Sequence, residues 1–193
     1  MRDTEILLLD DESVADVADR VAAVLQGEGV CIVPTDTLYG IIALDEHVDS
    51  VRYIHGIKKR PEGKPFIRLI GGLETLKRYT DQVPPPLLAR HWPGPLTLIF
   101  KNRSGGTIAV RYPDDAFLAQ LFDRIGNRAI VAPSANLSGE RDIFDCDCLN
   151  RTFGGLVDMI VCREGGPRCS KASTIVDITG DRPRVIRRGA VEL

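Results

Sequence analysis

Val30-Cys31-Ile32-Val33-Pro34-Thr35-Asp36-Thr37-Leu38-Tyr39-Gly40-Ile41-Ile42-Ala43-Leu44 is the stretch that sets the fold class. Two compact apolar runs, Val30 to Val33 and Ile41 to Leu44, have no polar residue inside them. Runs this short and rich in branched side chains predict strands buried on both faces. Pro34 ends the first run, because proline cannot donate to a sheet ladder. Thr35, Asp36 and Thr37 then form a loop at a strand end. Hydroxyls in that position are well sited to meet a ligand, and the same residues also make ordinary turns.

Reading outward, Glu5 to Leu9 predicts a short strand ending at Asp10 and Asp11. Ser13 predicts the N-cap of a helix with Val14, Val17, Ala18, Val21, Val24 and Leu25 at helical spacing, closed by Gly27 and Gly29. Downstream, the pattern predicts a helix over 48–57, a strand over 66–70 and short helices over 73–79 and 87–92. Strands over 96–100 and 107–113 face each other across a turn at 102–106. A helix over 117–125, a strand over 129–132, a helix or turn over 148–153 and a strand over 159–162 follow. Two strands, 173–177 and 183–188, close the chain around a turn at Gly180. Strands and helices interleave without repeat or linker, so a single α/β domain over 1–193 around a twisted, mixed sheet is expected.

Composition narrows the function. The 193 residues carry 25 Lys and Arg against 27 Asp and Glu, a formal net charge of −2, which argues against a bulk nucleic-acid binder. The charge is unevenly spread: residues 1–20 hold seven acids, whereas 182–188 hold four arginines and no acid. Ile57-Lys58-Lys59-Arg60-Pro61-Glu62-Gly63-Lys64-Pro65-Phe66 sets four cations against Glu62. Its prolines and glycine predict an extended loop, with Lys58 and Arg60 at least partly exposed and Lys59 directed the other way. Such a loop suits a polyanion such as a nucleoside triphosphate, or is a solvated surface.

The five cysteines, Cys31, Cys146, Cys148, Cys162 and Cys169, are odd in number and no secretion signal precedes them. Free thiols in a reducing cytoplasm are the expectation. Cys146 and Cys148 lack the second pair a zinc site needs. No apolar run is long enough to span a bilayer, so no membrane partner is expected.

Neither G-x-x-x-x-G-K-[ST] nor G-x-G-x-x-G is present, and His47, His55 and His91 have no metal or triad spacing. What recurs is a strand followed by a hydroxyl-rich loop: Pro34-Thr35, Pro133-Ser134-Ala135-Asn136 and Ser173-Thr174. With Arg111 and Arg187 near other strand ends, this makes a polar site bordered by cations and without an evident nucleophile. Such a site works by positioning and electrostatic stabilisation, the mode of phosphoryl and nucleotidyl transfer.

These motifs, in order, carry a resemblance to the YrdC-domain family, the threonylcarbamoyl-adenylate synthases of tRNA modification. It covers residues 14–189 through Pro34 to Gly40; Lys58-Lys59-Arg60-Pro61 with Lys64-Pro65; Trp92 to Thr97; Val110 to Pro113; Pro133 to Gly139; Ser173 to Asp177; and Arg187-Arg188-Gly189. The resemblance implies the short, single-domain form, with a largely antiparallel sheet flanked by helices and a concave basic site. It implies conversion of ATP, L-threonine and bicarbonate (or CO2) into threonylcarbamoyl-adenylate and pyrophosphate. Lys58 and Arg60, as catalytic residues, would neutralise the phosphates; Ser134, Asn136 and Arg187 would hold the nucleotide, with Thr107 close by. Thr35, Arg111 and Ser173 would hold threonine. Where many members carry a histidine after the Lys-Pro, this chain has Phe66-Ile67-Arg68-Leu69, and Arg68 is the expected substitute. Mg²⁺ would accompany ATP without a protein carboxylate as its evident ligand. A tRNA threonylcarbamoyl transferase would act downstream, and weak tRNA binding would be compatible.

Three alternatives stay open on sequence. The same basic face would serve an RNA-binding module, although aromatic residues make up only 6% and no stacking platform stands out. A YciO-like paralogue without synthase activity would diverge at the K-x-R and S-x-N signatures, which this chain keeps. A carbamoyl-adenylate-forming domain like that of hydrogenase maturation proteins normally sits in a much longer chain.

Overall fold

The two apolar runs pair with each other. In the computed structural model, which describes residues 2–193, strand β2 (Cys31–Pro34) lies antiparallel to β3 (Tyr39–Leu44), with Cys31 opposite Ile42 and Val33 opposite Gly40. Every residue of both strands is buried. Alternate side chains serve different cores: Cys31, Val33, Ile42 and Leu44 face one, and Ile32, Tyr39, Ile41 and Ala43 face the other. A strand covered on both sides has no solvent face, so its sequence reads as unbroken apolar residues.

Around this pair the chain adds β1 (Glu5–Leu9), α1 (Val14–Gln26), α2 (Val48–Ile57), β4 (Arg68–Leu69), α3 (Leu73–Leu76) and α4 (Pro86–Ala89). Next come β5 (Leu96–Lys101), β6 (Thr107–Arg111), α5 (Ala116–Arg124), β7 (Ile130–Val131), α6 (Cys146–Phe153), β8 (Met159–Arg163), β9 (Thr174–Asp177) and β10 (Arg184–Arg187). The ten strands among the described residues form one sheet in the order β1-β8-β2-β3-β7-β4-β6-β5-β9-β10. Five of the nine pairings are antiparallel and four parallel, a mixed sheet with an antiparallel majority.

Helices α1 and α5 cover one face through Val17, Val21, Leu25, Leu118, Leu121 and Phe122. On the opposite face Ile54 of α2 and Leu149 and Phe153 of α6 close a second core. A third core lies beneath β5 and β6, where Leu96, Leu98, Phe100, Ile108 and Val110 point inward. Strand alternation sends Ile99, Thr107, Ala109 and Arg111 to the other face of the same two strands, where they line a cleft.

Several local expectations are corrected. Ser13 precedes α1 without capping it through its side chain. Instead the Asp10 carboxylate accepts from the backbone N–H groups of Glu12 and Ser13, and Asp10 N–H donates to the Ser13 hydroxyl. The strand expected over 66–70 is only Arg68–Leu69, and that over 129–132 only Ile130–Val131. The helices expected over 73–79 and 87–92 shrink to single turns, the second starting on Pro86, whose fixed φ suits a first helical turn. Not all cysteines are free thiols: Cys146 and Cys162 form a disulfide, their Cα atoms 5.7 Å apart. The packing of α6 on β8 brings together two residues whose spacing in sequence carried no sign of pairing. Cys31, Cys148 and Cys169 remain free. No helix among the described residues is long and apolar enough to cross a membrane.

The basic segment also differs from the extended loop expected. Lys58, the C-cap that follows α2, keeps helical geometry, and Lys59 then adopts φ +51°. Arg60 N–H donates to His55 O (3.0 Å) and Lys59 N–H to Gly56 O (3.0 Å). This is the paired closure of a Schellman motif, with lysine at the left-handed position where glycine is preferred. Lys59→Gly removes the steric cost of a side chain there, about 1 kcal/mol. A rise in melting temperature of about 2–4 °C is expected, measured by thermal denaturation. An unchanged or lowered melting temperature would contradict the assignment.

Candidate active site

A cleft of about 390 Å³ opens where the β2–β3 turn, the end of α2, the loop after β7, the outer face of β5 and β6, and the start of β9 converge. Four of its lining residues, Lys58, Arg60, Arg111 and Arg187, are cationic, and among the described lining residues none is acidic. Its inner end is built on Arg111, the last residue of β6. Arg111 is 5% exposed. Its Nη1 donates to Thr37 Oγ1 at 2.8 Å, its Nη2 to Thr35 Oγ1 at 3.3 Å, and Asp36 Oδ1 lies 3.3 Å from Nη2. Arg111 Nε and Asp36 Oδ1 are buried without a hydrogen-bond partner. Burial lowers the proton affinity of this guanidinium, and the Asp36 carboxylate opposes that effect. It remains a cation, since arginine does not deprotonate in proteins. Ser173 borders the same end: its hydroxyl lies 2.8 Å from Thr97 Oγ1, and Arg187 donates to its carbonyl (2.8 Å) and hydroxyl (3.1 Å).

The outer end is built on Lys58, which the sequence led us to expect partly exposed. It is 3% exposed. Its ammonium donates to Ser134 O at 2.5 Å, to Asn136 O, and to Asn136 Oδ1 at 3.3 Å, while its own carbonyl accepts from Ser138 N–H at 3.0 Å. The helical geometry kept at Lys58 directs the side chain at this loop, and only carbonyl oxygens meet it there. Burial first, and the nearby Arg60 charge second, push the Lys58 pKa down to about 8. Ser134 Oγ donates to Asn136 Oδ1 at 2.7 Å, so the S-x-N pair is one connected unit. Arg60 is partly exposed, as expected, with its Nε on Lys64 O (3.0 Å) and its Nη2 on Pro65 O (3.3 Å). Lys59 faces solvent.

The structure thus gathers Thr35, Lys58, Arg60, Thr107, Arg111, Ser134, Asn136, Ser173 and Arg187 in one cleft. Arg68 is not among them. Its Nε pairs with Asp45 Oδ2 at 2.7 Å, and the Tyr79 hydroxyl donates to the same oxygen at 3.0 Å. Ile67, just before β4, lines the cleft, whereas Arg68 turns away from it toward Asp45. Sequence reasoning placed Asp36 and Thr37 in the strand-end loop without their partner, Arg111, and did not single out Thr97, which lies outside the lining and meets Ser173.

The Sua5/YciO/YrdC family model, described as "Telomere recombination", matches residues 23–189. The chain is 34% identical over 190 residues to the threonylcarbamoyl-AMP synthase of Pyrococcus abyssi, covering 90% of this chain and 54% of that protein. It is 32% identical over 202 residues to the threonylcarbamoyl-AMP synthase of Bacillus subtilis, covering 97% and 56%. The chain therefore spans about half the length of these curated relatives. A crystal structure of P. abyssi Sua5 complexed with L-threonine superposes with a TM-score of 0.85 at 28% identity, covering 96% of this chain and 57% of that one. A match over residues 23–189, joined to a shared fold, means that the chain belongs to the Sua5/YciO/YrdC family.

Proposed function

We propose that the cleft condenses ATP, L-threonine and CO2 or bicarbonate into threonylcarbamoyl-adenylate and pyrophosphate. One observation carries this reading: a buried guanidinium ringed by hydroxyls and a cationic, amide-bearing loop pair lie at two ends of a single cleft. The first end has the chemistry to hold an α-amino acid, its carboxylate on Arg111 and its polar groups within reach of Thr35 and Ser173. Arginine's planar fork matches a carboxylate through two parallel hydrogen bonds. The second end has the chemistry to hold a triphosphate, with Arg60 and Lys58 countering its charge and Ser134, Asn136, Thr107 and Arg187 orienting the nucleotide. The names of the relatives and the threonine complex of P. abyssi Sua5 support the same reading.

In this reaction the threonine amine adds to CO2 and loses a proton, giving a carbamate. A carbamate oxygen then attacks the α-phosphorus of ATP, the bond to the β-phosphate bridging oxygen breaks, and pyrophosphate leaves with its electron pair. No covalent enzyme intermediate is required. The protein's part is alignment of carbamate and α-phosphate and stabilisation of charge moving onto the leaving phosphates. Lys58 contributes by fixing the Ser134–Asn136 loop as well as by its charge. Among the described residues no group of three or more His, Cys, Asp or Glu could hold a metal, and no carboxylate lines the cleft. On this proposal Mg²⁺ would arrive bound to the nucleotide, and no step is assigned to it. The mixed anhydride formed is an activated acyl donor, which a tRNA threonylcarbamoyl transferase would consume.

Against a simple RNA-binding module stands the absence, among the described lining residues, of an exposed aromatic: Tyr39 and Phe66 are both buried. Against a YciO-like protein without synthase activity stands the placement of Lys58, Arg60, Ser134 and Asn136 together.

Pyrophosphate release is expected only with ATP, L-threonine and bicarbonate together. Equal release without threonine would refute the reading. Arg111→Lys is expected to raise the KM for threonine at least tenfold with little change in ATP affinity, since a lysine cannot reproduce the fork. The reverse split would mean the subsites are interchanged.

The two signature cations should differ. Arg60→Ala, at a partly exposed site, should shift stability by less than about 1 kcal/mol. It should still slow turnover on the order of 10²-fold. Lys58→Ala leaves carbonyl oxygens without their donor and should cost about 1–3 kcal/mol as well as activity. Because a lysine is charged below its pKa, kcat/KM for ATP should fall as pH rises through about 8. The kcat profile at saturating ATP should fall at higher pH, since bound phosphates favour the ammonium. A flat kcat/KM profile between pH 7 and 9.5 would exclude the Lys58 charge from nucleotide capture.

A further inference from the structure

His55 belongs to α2, and the cleft lining does not include it. It is 7% exposed, and its contacts converge on Arg60. Its Nδ1 lies 3.2 Å from Arg60 O, while its carbonyl accepts from Arg60 N–H at 3.0 Å. A carbonyl oxygen can only accept, so Nδ1 carries the proton and donates it. The ring stacks on Phe66, centroids 4.0 Å apart at an interplanar angle of 21°. The Arg60 guanidinium carbon lies 5.4 Å from the centroid of that same Phe66 ring. His55 therefore grips Arg60 at its backbone N–H and C=O and braces the aromatic ring against which its head group rests.

We propose that His55 is a positioning residue for Arg60: the Nδ1–H bond to the Arg60 carbonyl fixes the cation that faces the anionic ligand. A long side chain on a surface loop otherwise loses rotamer and backbone freedom on meeting a phosphate. Holding the loop beforehand moves that cost from the binding step to folding. Arg60 Nε and Nη2 already serve Lys64 O and Pro65 O, so the backbone geometry at residue 60 determines where the remaining N–H groups point. The inference rests on the proposed nucleotide role of Arg60.

Two substitutions separate the bond from the stack. His55→Phe keeps an aromatic ring on Phe66 and removes the donor. His55→Asn keeps a donor at the Nδ1 position and removes the ring. Pyrophosphate release and ATP affinity by titration calorimetry are measured for both, alone and combined with Arg60→Ala. His55→Phe is expected to lower kcat/KM for ATP about tenfold to a hundredfold. His55→Asn is expected to restore most of that loss, and His55→Phe is expected to be silent once Arg60 is alanine. Equal losses for the two substitutions, or a loss that multiplies with that of Arg60→Ala, would overturn the proposal and leave His55 a packing residue. Should His55→Phe fail to fold, His55→Leu, close in size to asparagine but without a donor, serves in its place: a loss absent from the Arg60→Ala background supports the proposal and a multiplicative loss overturns it. The calorimetric arm needs no turnover. Non-additive ATP affinities with no pyrophosphate formed would uphold the role of His55 and refute the reaction.

Discussion

A buried guanidinium has to be compensated, and the compensation of Arg111 shapes the centre of this protein. Arg111 ends β6 on one wing of the sheet, and its partners Thr35, Asp36 and Thr37 come from the turn between β2 and β3 on the other. Between the wings the sheet narrows to β7 and β4, each only two residues long. Few ladder hydrogen bonds cross that waist, so the contacts at Arg111 supplement it. Desolvation of the pair is costly and one carboxylate at 3.3 Å offsets only part of it. Two hydroxyls supply the nearest additional acceptors, while Arg111 Nε and Asp36 Oδ1 remain unpaired. A ligand carboxylate at this place would meet a cation already desolvated and already oriented.

The same alternation that builds the cores also assigns the cleft its walls. Leu98 and Phe100 sink into the third core while Ile99 between them faces the cleft. Ile108 and Val110 do the same on β6, leaving Thr107, Ala109 and Arg111 outward. Core and cleft are therefore two faces of one pair of strands, and a one-residue slip in register would exchange them.

Much of this was legible from residue order. Unbroken apolar runs such as Val30 to Val33 announced strands covered on both sides, and the spacing of Val17, Val21 and Leu25 announced the helix that covers them. Thr35, Ser134 and Ser173 were legible as hydroxyls after strand ends and Lys58 and Arg60 as a cluster of cations, whereas Thr107 entered only through the family resemblance. Direction was what the sequence withheld. Arg68 was expected in the cleft, but its side depends on the register of a strand only two residues long. Lys58 was expected exposed, because a run of cations gives no sign of the carbonyl oxygens that Ser134 and Asn136 bring from 76 and 78 residues away. Cys146 and Cys162 were expected free for the same reason: helix packing on a strand sets their proximity, and their spacing does not.

The K-x-R spacing itself has a backbone explanation. If the chain ran extended, Lys58 and Arg60 would point to one side and act as a single patch of charge. Instead the helix ends between them. Lys58 is its C-cap, Lys59 takes the left-handed turn, and Arg60 is the first residue beyond it, bound back to His55. The left-handed residue reverses the chain, so the two cations diverge: Lys58 enters the loop at Ser134–Asn136 and Arg60 turns toward Lys64 and Pro65. One intervening residue is what a Schellman closure places between the end of a helix and the first position past its left-handed turn. Two walls of the cleft, far apart in sequence, are thus joined through a single helix terminus. The cost of a lysine at positive φ is borne where glycine would be the easier choice.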